Sequence, residues 1–283
     1  LTVDVSTGTS SINGSISGSG GLEKEGAGRL NLEGTVGNTF SGTTTVSAGQ
    51  LHLNNTGGNA IGGDLDITTG GKLTFGRSHQ IIDTSAITMS NAGSVFNGTG
   101  PNSGQIGATE TFASFTVTGG AFNTSSGTWN ITGAGSFTGG AGNTMVVGNS
   151  GTRLLSFGSL SLVDMTATTG LVANSFTIYG NSSGVLSTLQ VGSGGLTLNN
   201  SNLNLRRGGG GTQGSRLILN GDVTTVGTSP SAIREDTIGG TGGIAEIQLN
   251  GAHNFNVGGS GANLTVSTGI TDGSSPGALT KTG

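Results

Sequence analysis

The sequence predicts an all-β fold: a single-stranded, right-handed parallel β-helix, a β-solenoid drawn out into an elongated rod. Three observations carry this. Of 283 residues, 59 are Gly, and Gly costs about 1 kcal/mol against Ala inside a helix, while Thr, Val, Ser and Asn are mediocre helix formers. No stretch keeps a three-to-four-residue apolar period; short runs instead alternate apolar with small polar residues, the pattern of half-buried strands. Bulky residues are few, with one Trp, one Tyr and ten Phe. A face-packed sandwich needs more of them, whereas coils stacked about 4.8 Å apart need only files of like residues, with Asn or Thr stacking at the turns.

The strand signals follow in chain order: LNL at 30–32, LHL at 51–53, DLDI at 64–67, KLTF at 72–75, LTL at 196–198, LNL at 203–205, LIL at 217–219, IQL at 247–249 and FNV at 255–257. Gly-containing turns separate them. Among these are Asn97-Gly98, Asn220-Gly221 and Asn250-Gly251, where Gly relieves the steric cost of positive φ. No Pro-rich linker or charge block interrupts residues 1–283, which predicts one continuous solenoid segment. Coils of roughly 20–25 residues would give about twelve coils and a rod of about 55–65 Å.

Composition also excludes alternatives. Disordered chains of this polarity carry high net charge and abundant Pro, but here the net charge is −4, Pro numbers three and 31% of residues are apolar. No apolar run approaches the 18 or so residues of a membrane helix, so no membrane span is expected in this segment. Neither an initiating Met nor a signal peptide is present, which predicts a mature or internal piece of a longer protein. The absence of Cys fits a secreted chain free of disulfides. Scattered Arg on a slightly acidic chain form no basic face for nucleic acid.

Two short patterns return near the far end. GLEKEG at 21–26 aligns with ALTKTG at 278–283, and LTVDVSTG at 1–8 with LTVSTG at 264–269. The nearly equal offsets predict slightly more than one unit of a long tandem repeat, with residues 277–283 starting the next copy.

Residues 21–55, GLEKEGAGRLNLEGTVGNTFSGTTTVSAGQLHLNN, resemble the autotransporter-associated β-strand repeat, also called the passenger-associated transport repeat. Its pattern runs approximately Gly-Leu-Thr-Lys-Thr-Gly-Ala-Gly-Thr-Leu-Thr-Leu-Ser-Gly, then Asn-Thr-Tyr-Thr-Gly-Gly-Thr-Thr-Val, then Ala-Gly-Thr-Leu. Asn38-Thr39-Phe40-Ser41-Gly42 stands at the Asn-Thr-aromatic-x-Gly position and Thr44-Thr45-Val46-Ser47-Ala48-Gly49-Gln50-Leu51 follows in order. Glu23, Glu25 and Phe40 depart from the commoner Thr and Tyr. The resemblance implies a secreted or bacterial cell-surface location and a β-helical passenger, and no chemistry. On the physical reading of the motif, Leu30, Leu32, Val46, Leu51 and Leu53 point inward, and Gly26, Gly28, Gly34, Gly42 and Gly49 mark corners.

Candidate chemistry is thin. Fourteen carboxylates could pair across coils as in polysaccharide-cleaving β-helices; the best local clusters are Asp64 with Asp66, read as solvated same-face carboxylates, and Arg234-Glu235-Asp236, read as a protruding, solubilising loop. GGNAIGGDLDI at 57–67 is one imperfect copy of a calcium-binding nonapeptide that works only in tandem. His52, His79 and His253 lack close partners for a metal, and no nucleophile elbow is present. RRGGGG at 206–211 could offer amides and guanidiniums to an acidic group, but reads better as a flexible turn. Trp129 and Tyr179 could stack on sugars if exposed, but in a chain so poor in bulky residues read as core filler. The expectation is therefore no catalytic, cofactor-binding or metal residue. It is a non-enzymatic structural segment whose partners are adjacent repeats or other copies of itself. An adhesin for surface glycans or host proteins is the alternative, with a polysaccharide-degrading β-helix ranked last.

Overall fold

The structure, a computed structural model, describes residues 1–91, 94–97, 108–119, 121–123, 127–138, 145–147, 153–164, 175–179, 186–208, 214–236, 242–258 and 263–283. Among the described residues regular structure is strand alone, with no helix. All nine runs read from the sequence coincide with strands, the run at 64–67 beginning one residue before its strand. Every described pairing in the two sheets is parallel, as in Arg29–Leu32 on Gln50–Leu53 and Leu186–Val191 on Gly214–Leu219. The fold is thus a stack of parallel coils, a β-solenoid. The chain divides into two compact units, Leu1–Thr132 and Gly133–Gly283.

In the first unit a coil runs from one strand through a Gly corner to a second strand, then along an irregular third side. Leu22 stacks on Thr44, Leu65 and Ile87 in turn, and Leu30 on Leu51, Leu73 and Phe96. From Leu22 to Ile87 these steps are 21 or 22 residues, as from Glu23 to Thr45 to Asp66. Leu30, Leu32, Val46, Leu51 and Leu53 are all buried, as read from the sequence. Burying each such side chain contributes about 1.5–3 kcal/mol.

The irregular side lacks strands, yet its backbone groups need partners. Buried amide side chains supply them: Asn38 Nδ2 donates to Ala60 O (2.7 Å), Asn55 Oδ1 accepts from Gly34 N (2.6 Å) and Gln80 Oε1 accepts from Asn55 N (2.7 Å). Further along, Phe75, Phe96, Phe112 and Trp129 pack ring against ring at centroid distances of 5.0–6.4 Å. Trp129 is core, as expected, and offers no face to a sugar. The side chain of Tyr179 lies outside the described residues.

In the second unit the coils from Leu186 onward to Ser267 carry three strands each. Leu186–Val191, Leu196–Asn199 and Asn202–Arg206 stack on Gly214–Leu219, Val223–Val226 and Ser231–Asp236, and these on Ile244–Leu249, Ala252–Val257 and Leu264–Ser267. The coil is longer than the 20–25 residues expected, because the third side is here a full strand: Leu186 pairs with Gly214 and Gly214 with Ile244. Leu189, Leu217 and Ile247 form one buried file. An amide ladder marks one corner: Asn220 Nδ2 donates to Val191 O (2.9 Å), Asn250 Nδ2 to Asn220 Oδ1 (2.7 Å), and Ser274 N to Asn250 Oδ1 (2.7 Å).

Two expectations are corrected. Arg234, Glu235 and Asp236 form no protruding loop; they end the strand Ser231–Asp236, because carboxylates there meet arginines one coil away. Gly251 has the expected positive φ of 102°, but Gly221 is needed for close approach, since a Cβ there would lie 2.7 Å from Gly192 O. Gly98 lies outside the described residues.

Gly49 turns its corner at φ 59°, and a Cβ would sit 2.3 Å from Gly28 O; Gly8 has a similar φ of 70° with nothing within 4 Å. Left-handed backbone alone costs a non-Gly residue about 1 kcal/mol. Gly49→Ala should therefore lower the unfolding midpoint well beyond the small loss from Gly8→Ala, as read by thermal melts of the two variants; equal losses would show that the stacked corner tolerates a side chain.

Candidate functional site

The motif region builds its own polar interior. Lys24 shares the inward side of Leu22–Glu25 with Leu22 and stacks between Val3 and Val46. It is wholly buried. Its Nζ donates to the carbonyls of Glu25 (2.5 Å) and Gly26 (2.8 Å) in its own coil and of Ala48 (3.3 Å) in the next. Burial pulls the ammonium below its ordinary pKa, with the Asp4 carboxylate opposing. The sequence reading missed this residue, although its spacing from Leu22 was the signal.

A second polar file lies on the strands that follow the corner. Register stacks Ser11, Asn31, His52 and Thr74, and the last three are buried although alternation points them outward. Longer neighbours seal them. Arg29 Nε donates to Asn31 Oδ1 (2.6 Å), Asn31 Nδ2 to Ser11 Oγ (3.2 Å), and Gln50 Nε2 to Thr74 Oγ1 (2.8 Å), with His52 Nδ1 3.0 Å from the same oxygen. Burial, and then the Arg29 charge, push His52 down to about 4. The ring is neutral at physiological pH. Of the other histidines, His79 is exposed in a turn at φ 54° and His253 is buried in Ala252–Val257, 3.2 Å from Asn250 O. Among the described residues no three His, Asp or Glu side chains converge on a point that could hold a metal ion.

Glu110 is the other group that composition hid. It sits on the buried side of Ala108–Phe112 with Phe112, beside Trp129. Gln80 N donates to both of its carboxyl oxygens (2.8 and 3.0 Å) and Ile81 N to Oε2 (3.1 Å). Burial pushes the acid up to about 8, outweighing the backbone amides of Gln80, Ile81 and His79, which favour the charge; Asp83 adds to the rise.

The surface carboxylates are mostly engaged. Asp64 is exposed just before Leu65–Thr68 and accepts from Ala86 N (2.8 Å), while half-buried Asp66 is raised by burial and by Asp64. Arg206 meets Asp236 (2.9 Å), Arg207 grips Glu235 through two nitrogens (2.6 and 2.8 Å), and Arg216 meets Glu246 (2.6 Å). Arg234 Nε donates to Asn204 Oδ1 (2.9 Å). Arg206 thus ends a strand, and both arginines read as a candidate anion site are held by carboxylates one coil on; residues 209–211 lie outside the described ones. A groove of about 480 Å³ beside the amide ladder includes Asp222 and His253. There Asp222 accepts from Asn254 N (2.8 Å) and Nδ2 (3.1 Å), which hold it below the usual carboxylate range, and His253 Nδ1 lies 4.0 Å away. Among the described residues no helix is long and apolar enough to cross a membrane.

Residues 22–53 match the family model of the passenger-associated-transport-repeat. No curated protein and no solved structure matches the chain. The matched segment contains Lys24, Gly corners such as Gly49, and Asn31 and His52 of the polar file. With the stacked parallel strands, it fits a repeat segment of an autotransporter passenger.

The two shifted groups set opposite pH limits. Between about 4.5 and 8 folded Glu110 keeps a proton that the unfolded chain has lost, so its contribution to stability falls as pH rises through that window. Below about 6.5 the unfolded chain protonates His52 while the folded ring resists until about 4, so its contribution falls as pH drops through that window. Urea midpoints measured from pH 4 to 9 should show Glu110→Gln flattening the alkaline slope and His52→Asn the acid slope. The limiting slope for one proton is about 1.4 kcal/mol per pH unit. Unchanged slopes in both variants would place these titrations elsewhere.

Proposed function

We propose that the chain is a non-enzymatic structural segment of a long, repetitive bacterial cell-surface or extracellular filament protein, stacking end to end as a solenoid. The observation that carries this reading is the repeat match at 22–53 lying within coils of strict parallel register. The family match supports export to the cell surface or extracellular space, and the carbonyl-bound Lys24 and amide-bound Glu110 support a structural use of the chain's buried ionisable groups. Its partners on this reading are neighbouring repeats or further copies, with no nucleic acid and no cofactor.

The test is direct. The purified chain should give no saturable signal on a glycan array or against host extracellular proteins, and should release no reducing ends or unsaturated products from polysaccharides. When fused ahead of an autotransporter barrel it should become accessible to external protease on intact cells. Saturable glycan or protein binding would favour an adhesin instead, and polysaccharide cleavage would make the chain an enzyme.

A further inference from the structure

The two units treat their surface charges differently. In the second, Arg206, Arg207 and Arg216 each meet a carboxylate one coil on; among the described residues of the first, no Lys or Arg forms an ion pair. The first unit instead sorts its charges by flank. Register sets Glu23, Thr45 and Asp66 in one file on the strands before the Gly corner, and Arg29, Gln50 and Lys72 in another on the strands after it. Alternation turns both files outward, since Leu22, Val46 and Ile67 are buried in the first set of strands and Leu30, Leu51 and Leu73 in the second. The outward side of the first set has carboxylates and no cation; that of the second has Arg29 and Lys72 and no carboxylate. In each file the like charges stand two coils apart with a neutral residue between them, about 10 Å at the usual strand spacing. The basic file borders a groove of about 420 Å³ whose lining includes Gly28, Gly49 and Gly70, corners with no side chain to fill it. Arg29 is tied along its own strand to Asn31, Lys72 is exposed, and burial and the Asp64 charge raise Asp66, as expected of a carboxyl without a counter-ion.

We propose that these two flanks are a side-by-side interaction surface between copies of the chain, the acidic file Glu23–Thr45–Asp66 of one seated on the basic file Arg29–Gln50–Lys72 of another. The occupant follows from the match of sign and interval. Within one copy the two files lie on either side of a corner and face different ways, so a flat contact between them needs a second copy. With the middle residues Thr45 and Gln50 opposed, both carboxylates meet both cations: Glu23 with Arg29 and Asp66 with Lys72 when the copies run parallel, Glu23 with Lys72 and Asp66 with Arg29 when they run antiparallel. A slip of one coil sets charge against Thr45 or Gln50 and loses both pairs. Like flanks repel, which selects the mixed contact over acidic-on-acidic or basic-on-basic. This deepens the structural reading above, whose partners include further copies, and rests on it: exposed ion pairs are individually weak, and a long repetitive protein engages several such contacts together.

The chain has no Cys, so the contact can be trapped between single-thiol variants. Facing sheets lie about 10 Å apart, within reach of a short bis-maleimide. Thr45→Cys and Gln50→Cys chains, mixed at low salt and treated with that reagent, should give the mixed cross-link about tenfold over either like cross-link, read by mass spectrometry. Salt that shortens the screening length to about 3 Å should remove the preference. Lys72→Glu in the Gln50→Cys chain should cut the mixed product; adding Asp66→Lys to the Thr45→Cys chain should restore it for a parallel alignment, and Glu23→Lys for an antiparallel one. Equal yields of like and mixed cross-links, trapping indifferent to salt, or rescue by neither reversal would overturn the proposal. Binding of an acidic glycan that Lys72→Glu abolishes would overturn it as well, assigning the groove to a glycan and removing the functional reading with it. Loss of the mixed cross-link without glycan binding or cleavage would overturn the lateral contact alone and leave the functional reading standing.

Discussion

Everything in this protein depends on register: each coil must lay its residues directly over their counterparts in the coil before. Parallel pairing at one residue per residue makes the files Leu30–Leu51–Leu73–Phe96 and Leu189–Leu217–Ile247. Because side chains alternate, a slip of one residue would turn a whole file outward. The corners hold that register. Where Gly49 passes over Gly28, no side chain fits between the two backbones, so the coil spacing is set by main chain rather than by bulk. That is how a chain with only 4% aromatics closes a core.

The same constraint governs polar groups. A buried polar or ionisable group is costly unless it is hydrogen-bonded, and in stacked coils many of the available partners are main-chain groups. Lys24 finds carbonyls, Glu110 finds amides, and Asn38, Asn55 and Gln80 serve as backbone substitutes on the side that has no strand. Ion pairs follow coil length: Arg206 with Asp236 and Arg216 with Glu246 are each 30 residues apart. Partly exposed pairs of this kind contribute about 0–1 kcal/mol each; they favour one register over another more than they add stability.

Strand alternation, Gly corners and the repeat at 21–55 were legible because they are local: LNL and LHL announce their strands without reference to any other part of the chain. What the sequence hid was set by stacking. Arg234-Glu235-Asp236 looked like a loop because three adjacent charges ordinarily seek water, and the arginines that donate to the two carboxylates lie a coil away. Alternation with the inward Leu30, Leu32, Leu51 and Leu53 puts Asn31 and His52 on the other side of their strands, whereas their burial depends on Arg29, which bonds Asn31, and on Thr74, which both His52 and Gln50 meet. Coil length failed in the second unit for a related reason, since nothing local distinguishes a third side that forms a strand from one that does not.

The polar groups on the flanks of the coils obey the same rule. Outward polar residues there are tied to neighbours in adjacent coils, as Asn204 is to Arg234 and Asn220 to Asn250. Each of these bonds joins residues 30 apart in the chain, one coil on, so it forms only where the two coils lie in register, and a slip that turned an apolar file outward would break the polar ladder as well.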